Sequence, residues 1–385
     1  MAIKSLFIVN DFPPILGGQS NYYFNLCTAF PQEELIILAP LCKGAQSFDA
    51  EHPLPIIRRA YLIPIFGMEK MAKILLPLFY SLSIIKKEKI KVVHCGHVLS
   101  TGVVGLILKK LLKIPYIVYT HSADILEFQK YGLIKNLLKS ILNNASKISC
   151  NSRFTYGKLL ELGVPEAKIQ LIYPKTNFEK FNKPLRIESF QTKYSLAGKK
   201  VILSVNRLIE RKGNEVMIQA MPEVLAEIPN AVYVIGGQGY YESQLRRRVK
   251  ELQLESKVIF VHDLSDEDII KLYKCCDIFV MLSRTLKEDD TEGFGVVFLE
   301  ANACGKPVIG GRSGGIPEAV AEGESGLLVD PLNIKEIAEK VISLLKDSSL
   351  AIRLGTQGRK RVQDQFDAKA YLQDLNELMQ GIVDA

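Results

Sequence analysis

Two hydrophobic rhythms alternate along the chain. Short β-branched runs occur at Phe7–Val9, Leu35–Leu38, Val92–Val93, Tyr116–Tyr119, Lys147–Cys150 and Ile169–Ile172. Between them, longer stretches carry apolar residues three and four apart, at Asn21–Phe30, Glu69–Lys87, Val98–Lys113, Lys130–Asn143 and Arg153–Leu162. The first kind reads as buried strands and the second as helices, which is the βαβ order of a parallel sheet covered by helices. The order pauses over 174–200, a polar stretch with Pro174 and Pro184 and no clear period. It resumes with strands at Val201–Val205, Val232–Ile235, Val258–Val261, Ile278–Met281 and Pro307–Ile309. Helices are expected at Asn214–Glu227, Tyr241–Leu252, Asp266–Cys275 and Phe298–Cys304, then at about Ile334–Lys346, Leu350–Phe366 and Ala368–Met379. The expected fold is therefore α/β, with two doubly wound Rossmann-like domains, 1–178 and 201–366, joined by a linker at 179–200 and facing a cleft.

Composition agrees with two globular domains. The chain has 385 residues, 48% apolar and 24% charged, which excludes a disordered or collagen-like polymer. No apolar run reaches the ~18–20 residues of a membrane span; Met71–Ile85 is interrupted by Lys73 and Pro77. The run Leu6–Val9 is too short for a signal peptide and lacks a cleavage site. Seven cysteines show no CxxC or Cys/His spacing and read as reduced thiols of a cytoplasmic protein. Charge is unevenly divided. Residues 1–180 hold 22 Lys/Arg against 12 Asp/Glu, net +10, while 181–385 are net −3. The first half is thus the one expected to meet a polyanion.

Three segments carry chemistry. Asn10–Ser20 ends in Gly17-Gly18 just before a helix, where bare backbone N–H groups admit an anion or a turn simply needs glycine. It is not GxGxxG, which counts against a hydride-transfer cofactor. Arg207 follows the first strand of the second domain, and Lys212 lies five residues on at the mouth of a helix. Both are expected to be exposed, placed to hold a diphosphate and its leaving charge, with solvated surface charge as the alternative. Glu292-Gly293-Phe294-Gly295-Val296 leads to Glu300, with a helix expected to start near Gly295. The N–H groups of Phe294, Gly295 and Val296 then face an anion, and Glu300 is placed to accept sugar hydroxyls. A helix-dipole carboxylate would account for Glu292 but not for Glu300 in an apolar helix.

Together with Ser313-Gly314-Gly315-Ile316-Pro317-Glu318, these segments resemble the retaining glycosyltransferases of family 4 (group 1), of the two-domain GT-B type. Asn10-Asp11-Phe12-Pro13-Pro14 and the glycine pair are most similar to phosphatidylinositol mannosyltransferase-like bacterial α-mannosyltransferases. The resemblance spans nearly the whole chain and is strongest from Val201 to Asp330. It implies Arg207 and Lys212 on the donor diphosphate, Glu292 on the transferred sugar, Glu300 on the ribose and His121 on the donor sugar. It further implies Phe260, in Lys257–Asp263, beside the base pocket, and a last helix, about 367–385, returning to the first domain. Asn206 departs from the family in place of a glycine, and Tyr173-Pro174-Lys175 departs near the hinge.

The implied reaction transfers a hexose, mannose from GDP-mannose first, from a nucleotide-diphosphate sugar to a lipid or glycan hydroxyl. It retains configuration and needs neither metal nor other cofactor. A UDP-sugar-dependent transferase, a sugar phosphorylase or epimerase, and a non-catalytic sugar-nucleotide-binding subunit are the alternatives. Asp266-Glu267-Asp268 after Ser265 reads as a helix cap with its capping box rather than a metal motif. His94 and His97 read as hydrogen-bonded loop histidines, with an acceptor-site role as the alternative, and His262 as a loop residue beside the base pocket rather than a catalyst. Lys86, Lys87, Lys89, Lys91, Lys109, Lys110 and Lys113 adjoin Leu75, Leu76, Leu78, Phe79 and Tyr80. They read either as solvated charge or as a peripheral face for the inner leaflet of the plasma membrane. No aromatic platform accompanies them, so nucleic acid is not an expected partner.

Overall fold

The computed structural model describes residues 3–15, 17–62, 69–128, 132–286 and 290–382. Leu16 of the glycine loop, Lys130 at the start of an expected helix, and 383–385 lie outside them. The chain forms two compact units, residues 1–175 with 368–385, and residues 176–367.

The first unit has a parallel sheet of β1 (Ser5–Ile8), β2 (Leu35–Pro40), β3 (Ile56–Arg59), β4 (Val92–Cys95), β5 (Tyr116–Thr120), β6 (Lys147–Cys150) and β7 (Ile169–Leu171). Their order is β3-β2-β1-β4-β5-β6-β7. Leu6 is level with Ile36 on one side and Val93 on the other. Both faces are covered, which explains why the strands read as mostly apolar runs rather than as alternating ones. Leu6 and Ile8 pack with Val104 and Leu108 of the helix Thr101–Leu112. Phe7 and Val9 face the other way, toward Tyr23 of the helix Gly18–Thr28 and Tyr371 and Leu375 of the final helix Tyr371–Met379. That final helix thus completes the core of the first unit. Lys175 Nζ pairs with Asp374 at 2.5 Å, and the Tyr371 hydroxyl accepts from the Lys175 N–H.

The second unit repeats the scheme with β8 (Lys200–Val205), β9 (Ala231–Gly236), β10 (Val258–Val261), β11 (Ile278–Met281), β12 (Val308–Gly311) and β13 (Gly326–Val329). All pairings are parallel, in the order β10-β9-β8-β11-β12-β13. Its core joins Ile202, Tyr233 and Val280 to the helices Asn214–Glu227 and Ile334–Lys346.

β3 and β13 were not expected. β3 is a half-buried edge strand entered through Pro53 and Pro55, and β13 lies inside a Gly/Ser-rich stretch, so neither carries a strand pattern of its own. The segment read as a linker also differs. It folds as the short helices Phe178–Asn182 and Glu188–Lys193, and buried Phe178, Phe181 and Phe190 supply the apolar anchors its polar composition hid. The helix Glu69–Glu88 continues through Pro77. Among the described residues no helix is long and apolar enough to cross a membrane.

Candidate active site

In each sheet the chain winds outward from the first strand, then returns to its other side. The switch points lie between β1 and β4 and between β8 and β11. Connections diverge there, leaving backbone and side chains at the C-terminal strand ends open to a ligand. The sequence motifs fall on these ends.

In the second unit, β8 ends at Val205 and the turn Asn206–Gly213 follows. The side-chain amides of Asn206 and Asn214 pair reciprocally at 3.1 and 2.9 Å, so the asparagine that replaces the usual glycine clamps this turn to the next helix. Gly213 has φ 74°, and a Cβ there would lie 2.1 Å from the Leu282 carbonyl. Only glycine permits that approach, and it brings the turn against the end of β11. Arg207 is exposed, as expected. Lys212 is not: its side chain is 12% exposed, and Nζ lies 2.5 Å from Glu292 Oε2. Arg211 Nη1 reaches the same oxygen at 2.6 Å, and Arg211 Nε lies 2.7 Å from Asp290. The expectation that Lys212 stands free therefore fails, because the turn aims it inward at Glu292, whose charge offsets its own.

Burial alone would raise the Glu292 carboxyl. The adjacent Lys212 and Arg211 charges outweigh it and hold Glu292 down at about 2. Burial moves Lys212 downward despite that partner. Gly314 backs the loop: a Cβ there would lie 2.2 Å from the Glu292 carbonyl, which accepts from Gly315 N–H at 3.0 Å. The Ser313–Glu318 motif thus buttresses the backbone that presents Glu292.

The next helix is Val296–Ala303, with Gly295 as an N-cap that supplies no side chain. Its first-turn N–H groups are suited to an anion. Phe294 contributes only backbone there, since its ring is buried, 6.0 Å from Phe366. Glu300 is buried inside the helix and accepts from the Tyr273 hydroxyl at 2.8 Å. Burial raises its carboxyl and the Tyr273 bond opposes this. Phe260 is not brought to this group. It lies on the edge strand β10, and its ring packs beneath Arg246 at 4.3 Å. His262 and Asp263 mark the open end of that strand, bonded to Gly237 O at 2.9 Å and to Gln238 Nε2 at 2.8 Å. Ser265 and Asp268 form the expected capping box.

In the first unit, Gly17 and Gly18 are exposed at the start of their helix, and a Cβ at either would meet nothing within 4 Å. Packing does not require glycine there. His121 follows β5 and is buried. Its Nε2 lies 2.9 Å from the Tyr23 oxygen and its Nδ1 3.4 Å from Asn151 Nδ2. Tyr23 donates its own proton to Gly96 O. This chain of bonds assigns His121 the Nε2–H tautomer. Burial first, and the nearby His97 second, push its pKa to about 3, so it is a neutral hydrogen-bonding group at pH 7.

Sequence reasoning missed what surrounds it. His97 Nε2 meets Asp11 at 2.9 Å, and the His97 bond lowers the Asp11 carboxyl. Burial lifts Asp124 to about 6. Asp11 and His97 each sit a few residues beyond strands that flank the switch point, which was the available signal. His94 is instead inside β4, fully buried and bonded to the Tyr119 hydroxyl at 2.9 Å. Burial holds its pKa at about 3, as for a core histidine.

Two parallel doubly wound units, with Lys212, Arg211, Glu292 and a bare helix N-terminus at one switch point and Glu300 buried further along that helix, are the architecture of a GT-B glycosyltransferase. The chain belongs to the family 4 (group 1) glycosyltransferases. Residues 186–361 match the family described as Glycosyl transferases group 1, and residues 16–179 match Glycosyltransferase Family 4. The GDP-mannose-dependent alpha-(1-6)-phosphatidylinositol monomannoside mannosyltransferase of Mycolicibacterium smegmatis is 29% identical over 98% of both chains. An uncharacterized glycosyltransferase of Methanocaldococcus jannaschii is 31% identical over 74% of both. In fold, the chain is similar to HepE of Anabaena, solved with UDP and glucose, with a TM-score of 0.82 at 22% identity over 98% of this chain and 100% of that one.

Proposed function

We propose that the protein transfers mannose from GDP-mannose to a hydroxyl of a lipid or glycan acceptor, with retention and without a metal ion. The observation that carries the reading is the set formed by exposed Arg207, the Lys212–Glu292 pair and the uncapped helix at Val296. It suits a sugar diphosphate whose leaving group gains charge as the sugar departs. The full-length likeness to a GDP-mannose-dependent relative supports mannose as the sugar. The second unit holds the nucleotide, with Glu300 on the ribose, and the first unit, with Gly17 and Gly18, serves the acceptor. In the reaction the bond from C1 to the phosphate oxygen breaks and the acceptor oxygen bonds C1 on the same face. The hydroxyl proton passes to the departing phosphate. Arg207, Lys212 and the helix N–H groups hold that phosphate, so no cofactor is required.

A lipid acceptor is supported by the helix Glu69–Glu88. Met71, Leu75, Phe79 and Leu82 are exposed on it, and Lys86 and Lys87 close it. The neighbouring helix Thr101–Leu112 adds exposed Leu111 and Leu112. An apolar stripe ending in lysines suits peripheral contact with the anionic inner face of a plasma membrane. The test is transfer from GDP-mannose and a panel of UDP- and ADP-sugars to lipid extracts and to soluble glycans, with the product anomer read by NMR, with and without EDTA. An α-linked mannoside formed in EDTA is the expected result. A product of inverted configuration, or activity lost in EDTA and restored by Mg²⁺, would overturn the mechanism; exclusive use of another donor would overturn the sugar.

A further inference from the structure

Glu292 Oε2 is gripped by two cations, Lys212 Nζ at 2.5 Å and Arg211 Nη1 at 2.6 Å. Under the donor class proposed above, Lys212 acquires a second partner, the diphosphate. Arg211 does not: its side chain is 9% exposed, and its guanidinium is already spread between Glu292 and Asp290 Oδ1 at 2.7 Å. Its backbone carbonyl also accepts from Arg284 N–H at 2.9 Å, which ties the turn to the segment after β11. A planar guanidinium hydrogen-bonded to Glu292 through Nη1 and ion-paired with Asp290 on its far side is fixed in direction, whereas an ammonium on a four-carbon stem swings.

Without donor, the charges of Arg211, Lys212, Asp290 and Glu292 cancel. A diphosphate adds at least two negative charges, and Lys212 cannot neutralise them while staying wholly on Glu292. The backbone cannot follow it, because Gly213 is pressed against Leu282. Of the two cations on Glu292, it is the lysine side chain that is free to turn. We propose that Arg211 is a positioning residue that keeps the Glu292 carboxylate paired and in place when Lys212 turns from it to the donor diphosphate. Among the described residues the largest charge effects on the pair come from Arg211 and Lys212 on Glu292, from Arg207 on Lys212, and from Asp290 on Arg211. Deleting Arg211 therefore leaves Glu292 with one cation in the free protein, and with little compensation once nucleotide is bound. A buried carboxylate in that position takes up a proton.

The experiment uses the full chain with ¹³C-labelled glutamate side chains, the Glu292 signal being assigned by its loss in Glu292→Gln. Glu292 is titrated in the wild type, Arg211→Gln and Arg211→Lys, each alone and with saturating GDP or UDP. The expected result is a small rise of the Glu292 midpoint in free Arg211→Gln and a rise larger by about a unit or more with nucleotide bound, mostly reversed in Arg211→Lys. Nucleotide affinity stays within about threefold. With whichever sugar nucleotide the protein uses, kcat falls roughly 10²-fold and the acidic limb of its pH profile moves up.

A midpoint that moves equally with and without nucleotide makes Arg211 a static brace and overturns the proposal. So does a 10²-fold loss of nucleotide affinity at unchanged kcat, which makes it a donor ligand, or a bound nucleotide that leaves the wild-type and variant midpoints alike. If Arg211→Gln fails to fold, Asp290→Asn frees the far side of the guanidinium and carries the same test at smaller amplitude. Should the donor prove to be a UDP-sugar, the mannose reading falls while titration with UDP still decides the role of Arg211.

Discussion

Glu292→Gln offers the sharpest check on how the site is held. The carboxyl sits at about 2 in the folded protein against an ordinary value of 4.5, because Lys212 and Arg211 outweigh its burial. A lowered folded value means stability that is present above the unfolded value and lost as pH falls toward the folded one. The gap corresponds to about 3 kcal/mol at pH 7, draining away between roughly pH 5 and 2. Glutamine keeps the shape but not the charge, and it leaves two cations facing an amide. The variant should thus lose about 3 kcal/mol at pH 7, measured by urea denaturation followed by circular dichroism. The difference from wild type should shrink as the buffer is taken toward pH 3. Turnover should fall by 10² or more, by loss of a charge needed where the sugar develops positive character. Equal stability of the two proteins at pH 7, or a difference that does not narrow in acid, would refute the claim that the pair is a net stabilising one.

Glu300→Gln should behave oppositely: burial raises that carboxyl, so its ionised form is a cost at pH 7. The variant should be at least as stable as wild type, yet bind GDP or UDP more weakly by calorimetry; a destabilised variant with full affinity would contradict this. Lys212→Met and Arg207→Ala should each lower kcat about 10²–10³-fold. Lys212→Met should cost only about 1–2 kcal/mol of stability, below the ~3–5 for an orphaned buried charge, since Arg211 stays on Glu292; near-normal turnover in both would remove the diphosphate role. Binding to anionic vesicles should weaken between low and high salt. It should also weaken in Leu75→Ser/Phe79→Ser, with nucleotide binding intact; indifference to anionic vesicles at low salt would leave the stripe without that role.

Much of the architecture was legible because it depends on local pattern. Runs such as Leu6–Val9 and Ile278–Met281 are apolar throughout because helices cover both faces of each sheet, and that signal survives in the sequence. β3 and β13 escaped because an edge strand and a glycine-bounded strand owe their form to neighbours rather than to their own residues. The helices of 176–200 escaped because three buried phenylalanines are too few to set a period against a polar background.

The site divides along the same line. Residue types and spacing put Arg207, Lys212 and Glu292 in loops beyond strand ends, since a βα turn delivers its residues to the same edge of a parallel sheet, and put Glu300 inside the helix that follows. Which of them pair could not be read there. Lys212 and Glu292 are eighty residues apart in the chain yet 2.5 Å apart in space. The pairing of Asp11 with His97, the bond from His121 to the Tyr23 oxygen and the second grip of Arg211 on Glu292 are likewise long-range. Local sequence determines where a side chain leaves the backbone. The protonation state and the partner of a buried charge depend on what the rest of the chain packs around it, and only the tertiary structure supplies that surrounding.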